Sequence, residues 1–257
     1  FYFQMKFCAK YFMILIQFQF ITVIYFAQNI KDSTIKSPLV KINFAIQTPY
    51  ADLRDNFGTN SNIGCSFGWK NKKNHTYELE YNFIHSKNVK TNSVIAHLLN
   101  NQGWIINQYG EENLYLMYQR GGQLTIDIGK VINTIGPNPN SGIHIKAGFG
   151  GMFHKIRIEN ENNTVPQLKN EYLKYYDRLT IGICTKQYIG YHNMSNNKLI
   201  NFTIGLEAIE GFTRGMRDYQ IDLMGPYLNN RLDIYIGLRI GWIFPIFRQI
   251  PDDYYYN

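Results

Sequence analysis

Residues 231–242 read Arg231-Leu232-Asp233-Ile234-Tyr235-Ile236-Gly237-Leu238-Arg239-Ile240-Gly241-Trp242. Every even position is large and apolar, and the odd positions between them are charged, aromatic or glycine. A strict period of two marks a β-strand with two unlike faces. Twelve residues of strand rise about 40 Å, and at a tilt of about 40° they cross a hydrocarbon core of about 30 Å. A soluble β-sandwich shows the same alternation, so the remaining sequence must decide which face is wet.

The pattern recurs along the chain. Val40, Ile42, Phe44 and Ile46 alternate with Lys41, Asn43, Ala45 and Gln47, and Ile63, Cys65, Phe67 and Trp69 with Gly64, Ser66 and Gly68. Equivalent runs centre on residues 77–83, 114–118, 124–128, 143–149, 179–183 and 200–206. The polar face is rich in glycine: Gly64, Gly68, Gly129, Gly148, Gly150, Gly182, Gly190, Gly205, Gly237 and Gly241. A water-facing strand surface favours Thr, Lys and Glu, and glycine there weakens the strand. Small side chains belong on a concave, crowded face such as the interior of a narrow barrel. The polar face is therefore expected inside and the Ile/Leu/Phe face outside, in lipid. The expected class is all-β, a transmembrane antiparallel up-and-down β-barrel.

Composition agrees. Aromatics make up 16% of the 257 residues, with 20 Tyr and 17 Phe, and the mean hydropathy of −0.29 excludes a helical membrane protein. The one long apolar run, Tyr11 to Phe26, follows Lys6 and Lys10 and precedes Ala27. This is the layout of a secretory signal peptide over residues 1–27, with an N-terminal anchor helix as the alternative. Met5 reads as the start, which puts residues 1–4 upstream of it, and residues 28–257 form a single barrel domain. Without Lys6 and Lys10 the chain keeps 24 basic and 19 acidic residues, a net charge of +5. The charge is spread along the chain, so no nucleic-acid surface is expected. Cys65 and Cys184 fall on opposite faces of the sheet, which argues against a disulfide; two isolated cysteines make no metal site, and no cofactor is expected.

Short connections are expected at Asn71–Asn74, Tyr109–Glu111, Arg120–Gly122 and His192–Asn197, and long ones at residues 49–60, 86–103, 158–173 and 210–230. If residues 104–108 form their own strand the count is about ten; eight is the alternative. Ser93 to Asn100 has the look of a short helix in a loop or plug.

With these residues laid out, the chain resembles a group of uncharacterised outer-membrane β-barrel proteins of Bacteroidota. The likeness is most specific at residues 138–142 (Asn-Pro-Asn-Ser-Gly), 154–157 (His-Lys-Ile-Arg), 165–167 (Val-Pro-Gln), 176–179 (Tyr-Asp-Arg-Leu), 211–213 (Gly-Phe-Thr) and 241–246 (Gly-Trp-Ile-Phe-Pro-Ile). A leader ending in Ala27-Gln28 fits that group too. The resemblance implies an outer-membrane location, contact with outer-membrane lipids, and insertion by the barrel assembly machinery. It implies no established activity. Such chains end on an aromatic residue, whereas Asn257 follows Tyr254, Tyr255 and Tyr256, so the closing strand is expected within residues 231–248.

Glu78, Glu80, Asp127, Glu207 and Asp233 fall on the inward face with Lys41, Lys146, Arg178, Lys186 and Arg239. In a narrow lumen such charges must pair, because an unpaired buried charge is costly. They are expected to form a polar plug; a charge-lined path for ions or small solutes is the alternative. Gly211 to Tyr219 is the candidate recognition loop, with Arg214, Arg217, Asp218 and Tyr219 available to another envelope protein. Its alternative is a loop folded into the barrel mouth, with Arg214 or Arg217 paired to Asp218 or Asp222. Catalysis is not expected. Of six histidines only His85 and His97 fall near a rim, without a partner at motif spacing, and Asp52 and Asp55 read as capping or solvated carboxylates. The expected role is structural or interactive; a soluble secreted lipid-binding barrel would require the apolar face inside.

Overall fold

The structure, a computed structural model, describes residues 33–195 and 200–246. The expected leader and the tyrosines at 254–256 lie outside the described residues. Eight long strands form the wall: β1 (Ser37–Ala51), β2 (Asn60–Lys70), β3 (His75–Ser86), β4 (Tyr115–Ile132), β5 (Gly142–Asn160), β6 (Thr180–Met194), β7 (Asn201–Gly215) and β8 (Asn230–Pro245). Each pairs antiparallel with its neighbours in sequence, and β8 pairs with β1, so the sheet closes. Ten strands are not formed. Residues 104–108 contribute only Ile105–Ile106, which pairs with Glu112–Asn113 in a loop. Arg120–Gly122 is no turn either: β4 runs straight through it, pairing Arg120 with Lys155 and Gly122 with Phe153.

Register fixes the tilt. Stepping from partner to partner, Leu39 leads through Gly68, Glu78, Asp127, Gly148, Lys186, Ile209 and Tyr235 to Pro49, ten residues further along β1. That stagger on eight strands tilts them by about 40°, and leaves an interior just wide enough for side chains to fill. Glycine makes the closure possible. Gly190 and Gly205 face each other on β6 and β7, and a Cβ on either would lie within about 2.5 Å of the other strand's backbone. No larger residue fits there.

The orientation of the two faces is the expected one. Ile42, Phe44, Ile63, Phe67, Leu79, Ile126, Phe149, Ile183, Leu206, Leu238 and Ile240 are exposed on the outside, while Lys41, Glu78, Glu80, Asp127, Lys186 and Arg239 are buried within. Cys65 points outward and Cys184 inward. Trp69, Tyr77, Trp242 and Phe244 ring the outside at one end of the barrel, and Tyr50, Phe153 and Phe212 the other. About ten residues of tilted strand separate the rings, an apolar band about 25 Å tall. A wall with lipid-compatible exterior, polar interior and no free edge is a transmembrane β-barrel.

The two ends differ. Asn71–Asn74 and residues 133–141 connect strands at one end, where β6 also ends at Met194 and β7 begins at Asn201. At Asn71–Asn74 the Asn71 side chain accepts from the Lys73 and His75 amides, and Asn74 takes the positive φ of 61° that ends the turn. At the other end lie residues 52–59, 87–114, 161–179 and 216–229. These loops, the last three longer than any opposite, carry the short helix α1 (Asp52–Asn56) and 3₁₀ turns, including the expected one, observed at Asn92–Leu98. They fold inward. Leu53, Phe57, Val94, Ile95, Ile105, Val165, Leu168 and Tyr176 pack with Met152, Ile156, Ile158 and Tyr235 of the wall into one buried apolar core over the mouth.

Candidate functional site

The lumen holds one continuous ion network. Lys41 Nζ lies 2.5 Å from Glu78 Oε1, and Lys146 Nζ reaches Glu78 (3.2 Å), Glu80 (3.6 Å) and Asp127 (3.5 Å). Lys186 Nζ bridges Asp127 (2.6 Å) and Glu80 (2.7 Å). Arg239 completes it with Glu80 at 2.7 Å and Glu207 at 2.6 Å, and the Gln47 amide donates to Glu207. Four cations, Lys41, Lys146, Lys186 and Arg239, meet four carboxylates, Glu78, Glu80, Asp127 and Glu207, so the network is neutral. It draws on every strand but β2. All eight groups are buried, and burial of charge is tolerable only with this degree of pairing. In each strand the charge sits on the inward parity, and glycines on the neighbouring strand leave room: Gly148 opposite Lys186, Gly237 opposite Glu207 and Gly205 opposite Arg239.

Glu78, Glu80 and Asp127 gather closely enough to hold a metal ion. The position such an ion would take is filled by ammonium groups, since Lys146 contacts all three carboxylates. The donors do not fit a metal.

Below the network, toward the short turns, Thr76 contacts His144 at 2.9 Å and His144 packs edge-on to His192. The loop at residues 133–141 tucks under the barrel, where Asn140 Oδ1 accepts from Lys70 Nζ and from the Ile35 amide. Above the network the lumen is mixed: Met152 and Ile209 are buried beside Gln119 and Gln123, whose amides donate to the Tyr235 hydroxyl and to Cys184. At the mouth Asp233 accepts from His154 (2.8 Å), Thr213 (2.5 Å) and Arg231. Phe57 stands edge-on over the His154 ring, so this Asp–His pair faces the loop core, away from solvent.

Two sequence expectations need correction. Arg178 is not in the lumen network. It lies in the loop after β5 with a positive φ of 45°, pairs with Asp222 and donates to Asn56, tying three loops together. Asp233 is inside the barrel but belongs to the mouth cluster, separate from the eight-group network. Lys41, inward by parity, proves an integral member. Glu78, Glu80, Asp127, Lys146, Lys186, Glu207 and Arg239 are brought together as their alternation implied.

In the candidate recognition loop, Arg217 is committed to Asp177 through two bonds of 2.8 and 2.5 Å. These bonds hold its guanidinium above the usual arginine range, and burial pushes the Tyr176 hydroxyl up. The ion pairs between the 161–179 and 216–229 loops are thus Arg217–Asp177 and Arg178–Asp222. Residues 211–215 are not loop but the end of β7, where Arg214 pairs with Asn230 and Ile181 and donates to the Leu228 carbonyl; Asp218 and Tyr219, beyond the strand, remain exposed. Asp52 does not cap its own helix: its carboxylate accepts from the Leu232 amide at the start of β8. His97 stacks on Tyr176 and His85 on Tyr118.

With wall, core and cap defined, the protein falls in the class of small transmembrane β-barrels. No family model matches the chain, and no curated protein matches it. Among solved structures it is similar to Ail, the attachment invasion locus protein of Yersinia pestis, at 9% identity over 83% of this chain and 99% of that one, with a TM-score of 0.43. The complex of Ail with the heparin analogue sucrose octasulfate matches at 10% identity over 81% and 99%, also at 0.43. The N-terminal β-barrel domain of Pseudomonas aeruginosa OprF matches at 11% identity over 85% of this chain and all of that one, with a TM-score of 0.37.

Proposed function

We propose that this protein is an outer-membrane β-barrel that serves the envelope as a structural or interaction component, with a lumen closed to solutes. The observation that carries the reading is the neutral network of eight buried charges, spanning the lumen beneath a loop core that fills the mouth. Conduction needs groups that solvate an ion and release it; here each of the four network cations already holds at least one carboxylate, and Lys70 below them is held by the Asn74 and Asn140 side-chain oxygens. In this reading the short-turn end faces the periplasm and the long loops the exterior, the usual arrangement of such barrels. The leader at residues 1–27 would deliver the chain and the barrel assembly machinery would insert it. Asp218 and Tyr219, exposed on the cap, are offered to a protein partner. No catalytic role belongs to this reading, since the Asp233–His154 pair is sealed by Phe57.

Reconstitution in planar bilayers tests it. The expected trace is flat at salt concentrations that open porins, from protein that also shows heat-modifiable migration on unboiled gels. Stable conductance steps would replace the closed barrel by a narrow channel.

A further inference from the structure

We propose that the outer wall of β3–β5, at the loop end, binds a phosphorylated lipid: its phosphate on Arg120 and Lys155, one acyl chain in the groove below. The proposal rests on the outer-membrane reading and names a ligand for its outer leaflet. Three observations meet there.

The first is a row of basic groups. His85 on β3, Arg120 on β4 and Lys155 on β5 are consecutive register partners on the outward face. Like charges directly opposite one another repel. Among the described residues no carboxylate lies within salt-bridge distance of Arg120 or Lys155, although Arg157, two residues on, is paired with Glu159. The Arg120 guanidinium lies over the rings of Tyr118 (4.9 Å) and Phe83 (5.8 Å), held at the wall in place of extending into solvent. An anion between Arg120 and Lys155 removes the repulsion, and a guanidinium matches phosphate with its two-pronged donors.

The second is the groove under that row. Gly122 and Gly151 are outward positions of β4 and β5 without a side chain; the Phe153 ring and Tyr81 hydroxyl lie over Gly122, so the opening is at Gly151. They floor an apolar groove of about 280 Å³, walled by Tyr81, Leu124, Phe153 and Ile181. At Gly151 a Cβ would find no atom nearer than 3.7 Å, so the space there is open.

The third is alignment. Arg120 stands two residues above Gly122 on the same face of β4, and Lys155 two above Phe153 on β5, both toward the long-loop end. A phosphate at the level of the cations therefore delivers an acyl chain into the groove, and a free anion would leave the groove unused.

The test uses the full chain in detergent, with native mass spectrometry against diphosphoryl lipid A, the same lipid without its phosphates, and inorganic phosphate. The wild type should retain diphosphoryl lipid A at least tenfold better than the dephosphorylated lipid, with no competition from millimolar phosphate. Arg120→Gln/Lys155→Gln should lose that preference. Gly151→Leu, which fills the groove, should weaken retention of both lipids. Lys130→Glu, a charge change at the opposite rim, should leave retention unchanged. Equal retention of both lipids by the wild type, full competition by phosphate, or an equal loss in Lys130→Glu would overturn the site. Heat-modifiable migration of each variant reports the fold separately, so a barrel that inserts and shows no lipid preference sinks this proposal and leaves the outer-membrane reading standing.

Discussion

Arg239 on β8 and Glu80 on β3 meet at 2.7 Å, although β1 and β2 stand between their strands in the wall. The contact crosses the lumen, and both side chains are almost wholly buried. Glu80 also holds Lys186 at 2.7 Å. Glu80→Ala would leave these cations short of a counter-ion in a water-poor interior, a change of about 3–5 kcal/mol in related cases. Urea unfolding of the variant in lipid vesicles should show a loss in that range, with Glu80→Gln losing less because its amide oxygen still accepts. A loss below about 1 kcal/mol would mean that the network is solvated and the lumen open.

Gly205→Val should abolish the barrel. Its added side chain meets the backbone at Ile189 and Gly190 on β6, which cannot retreat without breaking the ladder. Gly151→Ala is the matched control, because its Cβ points into open space. On unboiled gels the first variant should run at the unfolded position and the second at the folded one. Folding of Gly205→Val would show that closure does not depend on this close approach.

Glu210 is an ionisable side chain on the lipid-facing side of β7. It is half-buried and accepts from Thr185 at 3.2 Å. Acidic groups on the lipid face of a barrel destabilise by less than the roughly 2–4 kcal/mol of basic ones, and by less again away from the midplane. Glu210→Leu should therefore raise stability by about 1 kcal/mol, read as a shift of the urea midpoint in vesicles. Destabilisation would instead assign Glu210 a partner within the membrane.

The bidentate Arg217–Asp177 pair fastens the 216–229 loop to the 161–179 loop. Arg217→Ala should loosen that part of the cap and leave the barrel intact, since loops open locally at far lower cost than a closed sheet. Limited trypsin digestion should then cut at Lys169, Lys174 or Arg178 faster than in the wild type, with gel migration of the uncut barrel unchanged. Unaltered cleavage would mean that the apolar core alone holds the cap.

Local alternation carried much of this structure. Parity assigned the wet face because strand side chains alternate without exception over the tilted stretches, and it placed Glu78, Glu80, Asp127, Lys146, Lys186, Glu207 and Arg239 in one lumen. Parity fails where strands end. Arg178 continues the alternation of β6 in the sequence, yet the chain turns there with a positive φ and aims it into the mouth. Gly121-Gly122 has the composition of a turn, but the ring of Phe153 and the hydroxyl of Tyr81 lean over Gly122, and cross-strand pairing on both sides holds it extended. An aromatic neighbour of this kind rescues glycine in a strand. It lies more than 30 residues away along the chain, so no local pattern reveals it.

By itself the sequence determined the all-β class, the apolar exterior and the inward charges, because each follows from the two-residue period of a strand. The tertiary structure decided the count of eight strands, the stagger of ten residues, the pairing of each lumen charge and the folding of four loops into a cap. Those features depend on which strands become neighbours around a closed sheet. In residues 231–242 the alternation aims Arg239 inward; only closure of the barrel sets Glu80 opposite it.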